Sequence, residues 1–441
     1  MIHEIAQRIL QLDFNDLSEL ARERAGLCLL ANIAVAVAGV RYCRLPPPDV
    51  PGGRYPVFSG TAAADPRTAA FYNAAVMHAR TQDDFDPVGN LHAGTVIVPA
   101  LLALSEDVQL SGKRFMEAIA VGYMVAAGIS RFLSPQTTPR GIRSTGYYAP
   151  FGATAAVSKA LGLNLEETAN ALALTTVFTG GTTQAWIDGS DEWQLHAANA
   201  AEAGLKATAL AQAGLHGGTH ALDGIAGFYA ALTGAPTPFD RVADDFDASR
   251  AIEESVIKRF PVSGICQSVV LASLRVREQL ATTEQIKQIR IEMNAFERSY
   301  PGTLNSGPGL DTFGKRLMSA PFCACAVLSS GELSLADFQS GTDRERDRLM
   351  ASTDVIAGPD RNLLSARVSV KLNDGSVLSG ETLNSRDEIQ LDWDSIRDWG
   401  AALWVEAGRK AEGFDSCLAT VKALPDVSRV RFRPVSDSIF N

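Results

Sequence analysis

The chain has 441 residues, of which 46% are apolar and 20% charged, and its formal net charge is −10. This composition is typical of a folded globular protein, and it excludes a wholly disordered chain, a collagen-like repeat and a disulfide-rich miniprotein. The length predicts two domains. The net negative charge argues against nucleic acid as a partner.

The N-terminal part of the sequence gives no sign of a membrane or secretory protein. The first residues, MIHEIAQRILQLDF, carry acidic side chains in an amphipathic pattern, which differs from that of a signal peptide. The uncharged run 25–40 is shorter than the ~20 residues that a bilayer span needs, so we predict a buried helix and no membrane partner. Six scattered cysteines without a CxxC pair are typical of reduced thiols, so we expect a cytoplasmic protein.

Residues 17–234 have the periodicity of helices. Alanine is dense, and apolar residues recur at spacings of three and four, for example in 115–133. Asn164, with Glu167 three residues later, predicts a helix start. The small residues within 197–204 allow close approach between helices. We therefore predict a tightly packed helical bundle.

The periodicity changes after Pro236. Residues 286–294 alternate between apolar and polar, as in a strand, and residues 366–383 have the pattern of a hairpin that turns at Asn-Asp-Gly. Residues 319–338 between them have the helical period, so these patterns predict a smaller α+β domain over about 250–385. Residues 393–414 return to the helical period and could pack back on the first domain.

The predicted fold is mainly α, in two domains. Residues 1–248 and 386–441 would form a large all-helical domain, and residues 249–385 a smaller α+β lid domain. Motifs of other enzyme classes are missing from the sequence: there is no GxxxxGK[ST] loop, no GxGxxG after a strand, no HExxH and no GxSxG. Nucleotide-binding, zinc-peptidase and α/β-hydrolase functions therefore lose most of their support.

A polar island interrupts the apolar N-terminal part. Asp83, Asp84 and Asp86 come shortly before His92, at a predicted helix start. A carboxylate can hold an imidazole in one tautomer and raise its basicity, which indicates an acid/base histidine. The alternative is a solvated loop with a helix-capping aspartate. A metal at these side chains is conceivable, but we predict none.

Two cationic segments could bind an anionic substrate. Arg143 precedes a predicted helix, and a guanidinium with a nearby hydroxyl suits a carboxylate; the alternative is a surface loop with a helix cap. Lys258 lies near the proposed domain boundary, just before Pro261. A lysine there could bind a carboxylate or act as a base when desolvated.

Several blocks of the sequence resemble, in order, the MmgE/PrpD family. This family includes 2-methylcitrate dehydratases, cis-aconitate decarboxylase and iminodisuccinate epimerase. The matching blocks are FYNAAVMHARTQDD (71–84), HAGTVIVPALLAL (92–104), FGATAAVSKALGL (151–163), ANALALTTVFTGG (169–181), the run that begins LHAANAAEAGLK (195–228) and KRFP (258–261). The resemblance implies a helical domain, an α+β lid, an active site between them, chemistry without a cofactor and a homodimer.

The resemblance also implies roles for particular residues. His92 matches the family's active-site histidine, Asp83 and Asp84 match the aspartate pair that accompanies it, and Lys258 matches the lysine of the second domain. Which aspartate pairs with the histidine stays open. Thr145 matches a threonine near the start of the FGA helix.

Four positions depart from the family pattern. Arg143 stands where the decarboxylase and the dehydratases have a histidine, and Trp193 stands where they have a lysine. Ser263 replaces a histidine of the decarboxylase, and Phe322 replaces a tyrosine. We therefore expect a less cationic, more aromatic pocket, and a substrate with fewer carboxylates and an apolar part against Trp193 and Phe322.

The predicted function is a cofactor-independent lyase or isomerase of a small organic (poly)carboxylate. His92 would transfer a proton next to a carboxylate or carbonyl, while Lys258 and Arg143 would hold the carboxylate. Among the possible reactions we place dehydration first, only because it is the commonest reaction of the family. Decarboxylation, epimerisation and a bond-forming step on an unusual substrate stay open, as does a catalytically inactive carboxylate-binding homologue.

Overall fold

The structure is a computed structural model that describes residues 1–307, 310–339, 341 and 343–434. Helices make up 58% of it and strands 9%. The prediction of a mainly α fold with a smaller α+β region is therefore confirmed.

The chain divides into two compact units. Unit 1 comprises Met1–Gly181, Gln194–Ile257 and Leu391–Asn441, and unit 2 comprises Thr182–Trp193 and Lys258–Gln390. The sequence had suggested boundaries after residues 248 and 385, and it gave no sign that the short segment 182–193 groups with unit 2.

The helices follow in chain order. They are α1 (Ile2–Gln11), α2 (Glu19–Gly39), α3 (Pro66–His78), α4 (Gly94–Leu104), α5 (Gly112–Thr137), α6 (Ser144–Leu161), α7 (Leu165–Thr175), α8 (Gln184–Asp188), α9 (Trp193–Gln212), α10 (Phe228–Thr233), α11 (Ala248–Glu253), α12 (Gln267–Arg277), α13 (Ala295–Ser299), α14 (Phe313–Met318), α15 (Ala320–Ser330), α16 (Leu335–Gln339), α17 (Arg344–Ala351), α18 (Ser385–Ile389), α19 (Ser395–Glu406) and α20 (Ala411–Lys422). Helix α8 and helices α12 to α18 belong to unit 2.

Local signals fix several helix ends. The Asn164 side chain accepts the Glu167 backbone N–H, and the Glu167 carboxylate accepts the Asn164 N–H, which confirms the predicted start of α7. Gly331, with φ of +85°, ends α15 before α16, so the predicted helix 319–338 is two helices. Gly408, with φ of +78°, likewise separates α19 from α20 within 393–414.

Helices in unit 1 approach one another closely where glycine and alanine face each other. A Cβ on Gly152 of α6 would lie 2.7 Å from the carbonyl oxygen of Gly122 on α5. A Cβ on Gly204 of α9 would lie 2.5 Å from the Cβ of Ala153 on α6. The small residues therefore set the spacing of the bundle, because any larger side chain would push these helices apart.

Two segments of the described chain are long and apolar enough to span a bilayer, Glu19–Tyr42 and Gly112–Arg140. In their most apolar windows 83% and 94% of the residues are buried inside the protein, so both have the burial of core helices.

The strands form small sheets. They are β1 (Tyr55–Pro56), β2 (Ala62–Ala63), β3 (Asp84–Phe85), β4 (Val256–Ile257), β5 (Ile286–Met293), β6 (Thr353–Ala357), β7 (Ala366–Leu372) and β8 (Val377–Thr382). The first four make two antiparallel pairs in unit 1, so the expectation of an all-helical domain was too strict. The others form the sheet of unit 2 in the order β6-β5-β7-β8, with the predicted hairpin at β7 and β8.

Candidate active site

The polar island of the sequence forms a buried turn in unit 1. Helix α3 ends at His78, and the chain turns through Thr81, whose φ is +54°. It then enters β3, which pairs with β4. His92 lies just before α4. The turn thus brings the end of one helix, a short strand and the start of another helix together around polar side chains.

His92 contacts Asp83. Its Nδ1 lies 2.8 Å from Oδ2 of Asp83 and 3.2 Å from the backbone carbonyl oxygen of Asp84. A backbone carbonyl oxygen only accepts hydrogen bonds, so Nδ1 carries the proton. In the neutral ring the lone pair is then on Nε2, which is the atom able to take a proton.

The Asp84 carboxylate has other partners. It accepts hydrogen bonds from the Asn32 amide at 2.6 Å, the Tyr123 hydroxyl at 2.7 Å and the Ser255 hydroxyl at 3.0 Å. Burial raises the pKa of Asp84, while the hydrogen bonds from Asn32 and Tyr123 oppose that shift. Asp83, rather than Asp84, therefore supplies the carboxylate that contacts His92.

A second histidine contacts the same carboxylate. Nδ1 of His78 lies 3.1 Å from Oδ2 of Asp83, and the ring centroids of His78 and His92 are 4.6 Å apart. His78 lies within the sequence block 71–84 but was not predicted as a site residue. The feature that could have pointed to His78 is a histidine at the end of a helix, five residues before an aspartate.

The start of α6 lies beside this group. The Thr145 Oγ1 accepts the backbone N–H of His92 at 3.3 Å. Arg143 immediately precedes α6, is 3% exposed, and donates its backbone N–H to the Gly181 carbonyl oxygen at 3.2 Å. The positive end of the α6 dipole and the guanidinium therefore occupy the same region, which favours an anion.

His196 of α9 also belongs to this region. A Cβ on Gly181 would lie 2.6 Å from its Cδ2, so the ring packs against the backbone there. Burial, followed by the charges of Arg143 and His78, lowers the pKa of His196 to about 3. Its Nδ1 is buried and has no hydrogen-bond partner within the described parts of the chain. The His196 ring is therefore buried and neutral.

The remaining predicted site residues lie in unit 2. Lys258 is fully buried, and a lysine so placed must keep an acceptor or anion near its ammonium or lose its charge. Ser263 caps a short turn by accepting the Cys266 backbone N–H at 3.3 Å. It therefore has a structural partner of its own.

Trp193 and Phe322 pack inside unit 2. Trp193 is 1% exposed, and its ring lies 5.3 Å from the Trp186 ring, centroid to centroid. Phe322 lies 5.5 Å from the Phe338 ring, with the Arg346 guanidinium 4.8 Å from its own centroid. Both aromatic rings are thus part of close packing between side chains.

One group of described residues has the composition of a metal site, namely His78, Asp83 and His92, whose ligand atoms lie within 4.8 Å of one another. The proton on the His92 Nδ1, however, leaves that atom no lone pair for a cation.

Comparison with known sequences identifies the class of protein. The profile of the MmgE/PrpD N-terminal domain matches residues 3–239, which is more than half of the chain. The chain belongs to the MmgE/PrpD family, as its motifs predicted.

Particular relatives are named as decarboxylases. The chain is 27% identical to cis-aconitate decarboxylase of Mus musculus over 340 residues and 27% identical to that of Homo sapiens over 334 residues. Each match covers 71% of this chain, and it spans 66% of the mouse and 67% of the human protein. The chain is also 24% identical to cis-aconitate decarboxylase of Aspergillus terreus, over 85% of this chain and 83% of that protein.

Proposed function

We propose that the protein is a cofactor-independent lyase that removes carbon dioxide from a small organic acid. The relatives' activity supports the reaction, and one geometric observation carries the proposal. This is the buried contact of 2.8 Å between the His92 Nδ1 and the Asp83 carboxylate, beside the cationic start of α6.

Decarboxylation needs a proton donor at the carbon that loses carbon dioxide. The bond from that carbon to the departing carboxylate breaks, and its electron pair stays on the substrate, next to a second carboxylate or carbonyl. The His92 imidazolium then gives its Nε2 proton to this carbon and returns to the neutral ring. Asp83 stabilises the imidazolium and keeps the ring oriented.

The same residues could also perform dehydration. Neutral His92 would take a proton from the carbon beside a carboxylate through Nε2, and the resulting imidazolium would give that proton to the hydroxyl on the next carbon, which leaves as water. The relatives' names favour decarboxylation, so we place it first and dehydration second.

Arg143 would anchor the substrate carboxylate that stays. A guanidinium is permanently charged and can form two parallel hydrogen bonds to a carboxylate. The N-terminus of α6, which begins with the next residue, adds a favourable dipole. Lys258 would supply a second cation, a role that rests on the family resemblance.

The substrate would carry fewer carboxylates than cis-aconitate, or an added apolar part. Trp193 and Phe322 stand at positions where the family has a lysine and a tyrosine, and both side chains are packed against other rings. Ser263, which replaces a histidine, is engaged in capping a turn. These replacements remove cationic and hydroxyl groups that would bind additional carboxylates.

A panel of acids tests this proposal. Purified protein is incubated with cis-aconitate and with unsaturated and hydroxylated di- and monocarboxylic acids, and carbon dioxide release and product masses are recorded. We expect at least one acid to lose carbon dioxide. We also expect Arg143→Gln to raise the KM for that acid. Arg140 lies in the same loop but is exposed, so Arg140→Gln should leave this KM unchanged.

Two results would contradict the proposal. Thermal shifts with several acids but no chemical change in any of them would favour a carboxylate-binding homologue. Equal KM values for Arg143→Gln and the wild type would remove Arg143 from carboxylate binding.

A further inference from the structure

We propose that His78 is a positioning residue, which holds the Asp83 carboxylate in place for His92 by donating its own Nδ1–H to the same oxygen. The inference rests on the proposed function, since it assigns the positioning of the same acid/base site. It adds a third member to the pair that the sequence predicted.

The geometry around Oδ2 of Asp83 carries the inference. The Nδ1 atoms of His92 and His78 lie 2.8 Å and 3.1 Å from this single oxygen, and Asp83 has no exposed surface. A buried carboxylate costs free energy unless donors surround it. An ionised oxygen only accepts, so each imidazole must offer an N–H to it.

The surroundings of His78 fit a fixed partner better than a group that reacts with substrate. Its side chain is 1% exposed, compared with 11% for that of His92. His78 also lies on the last turn of α3, a helix of 13 residues, which holds its ring more rigidly than a loop would. His78 therefore acts through Asp83.

Several charged or titratable groups face the cluster from the elements of unit 1 around it. Asp83 and Asp84 come from the turn and β3, Arg143 from the start of α6, and His196 from α9. Arg143 donates its backbone N–H to the Gly181 carbonyl oxygen and the His196 ring packs against Gly181, so these two residues lie near one another. The proposal concerns which nitrogen carries a proton, so it does not depend on any one of these groups titrating.

The direct test is ¹⁵N NMR of protein labelled only at histidine, which gives few signals because the chain has six histidines. We expect Nδ1 of both His78 and His92 to carry a proton in the wild type. We expect the His78 signal to shift when Asp83→Asn removes the charged acceptor. A His78 Nδ1 without a proton, or one unmoved by Asp83→Asn, would overturn the proposal.

Two matched variants separate positioning from packing. His78→Asn keeps an N–H near the position of Nδ1, and His78→Leu has a similar size without a donor. We expect the Nδ1–H signal of His92 to persist in His78→Asn and to be lost to exchange in His78→Leu. An unchanged His92 signal in a folded Leu variant would contradict the proposal, and if that variant does not fold, the wild-type and Asp83→Asn spectra decide alone.

These measurements use no substrate, so they distinguish the two proposals. If the spectra show the expected Nδ1 protons of His78 and His92 but no acid is converted, the proposed function is wrong while the positioning role of His78 stands. If an acid is converted, we expect His78→Leu to lower kcat with little change in KM, and His78→Asn to restore most of kcat.

Discussion

The two units bury carboxyl groups in different surroundings. In unit 1, Asp84 accepts hydrogen bonds from three side chains, and Asp83 is contacted by two imidazoles. In unit 2, Glu297 accepts only the Leu364 backbone N–H, at 3.0 Å, through Oε1, while Oε2 has no hydrogen-bond partner within the described ranges. Burial raises the pKa of Glu297 to about 8.

The difference shows what a buried carboxyl group needs to act as a charged partner. Glu297 is neutral at physiological pH because ionisation would leave a charge in an apolar interior with a single donor. The carboxylates of unit 1 meet several donors, and these also fix where their oxygens lie. The donors around Asp83 and Asp84 therefore mark unit 1 as the unit with the organised polar site.

Asp84→Ala should give the largest effect on stability. It leaves the buried donors of Asn32, Tyr123 and Ser255 without their acceptor, and each unsatisfied group costs about 1–3 kcal/mol. We expect a loss of about 3 kcal/mol or more in the free energy of unfolding, measured by urea denaturation. The control Asp398→Ala alters a carboxylate that is 89% exposed and should change stability by less than about 0.5 kcal/mol. Equal effects would mean that the Asp84 hydrogen bonds contribute little.

Glu297→Gln should stabilise the protein at alkaline pH. Its folded pKa of about 8 lies above the ordinary 4.5, so between these values the unfolded chain loses a proton that the folded protein keeps. Stability then falls as pH rises, by at most about 1.4 kcal/mol per pH unit. Glutamine removes this dependence, so we expect a gain of about 3 kcal/mol at about pH 8 relative to about pH 5.

The comparison with Glu278→Gln sharpens this prediction, because Glu278 is an exposed glutamate of the same unit. We expect no comparable gain at alkaline pH in that variant. A Glu297→Gln protein whose melting temperature follows the wild type across the pH range would show that Glu297 ionises in the folded state.

His196→Asn should change the free energy of unfolding by a smaller amount than Glu297→Gln, and at acidic rather than alkaline pH. The folded pKa of about 3 lies below the ordinary 6.5, so between these values the unfolded chain binds a proton that the folded protein does not. Wild-type stability therefore falls as pH falls through this range. We expect His196→Asn to reduce the loss between about pH 7 and about pH 5.5 by about 1 kcal/mol.

Thermal unfolding of the wild type, His196→Asn and the exposed His216→Asn at several pH values checks this. If His216→Asn flattens the pH dependence as much as His196→Asn does, the neutral state of His196 is not the cause.

Local signals in the sequence were sufficient for much of the fold. The capping pair Asn164 and Glu167 and the hairpin around Gly375 formed as predicted, because they depend on neighbouring residues alone. The breaks at Gly331 and Gly408 were missed because the helical period continues on both sides of each glycine. Only the left-handed backbone at these two residues ends the helices.

The site was partly predictable for a similar reason. Asp83 and Asp84 precede and begin a strand, where successive side chains point to opposite faces. That strand, β3, appears only in the structure, so the sequence left open which of the two aspartates faces His92. His78 and His196 were not selected because they reach the cluster from α3 and α9, through packing that no local pattern encodes.

The most direct test of the central claim is turnover in D₂O. With the acid that the wild type converts, we expect product that carries deuterium at the carbon that lost carbon dioxide. We expect His92→Asn, which keeps an N–H towards Asp83 but has no titratable ring, to lower kcat by about 10²–10⁴, while His216→Asn keeps wild-type turnover. A folded His92→Asn protein that turns over as fast as the wild type would contradict the account.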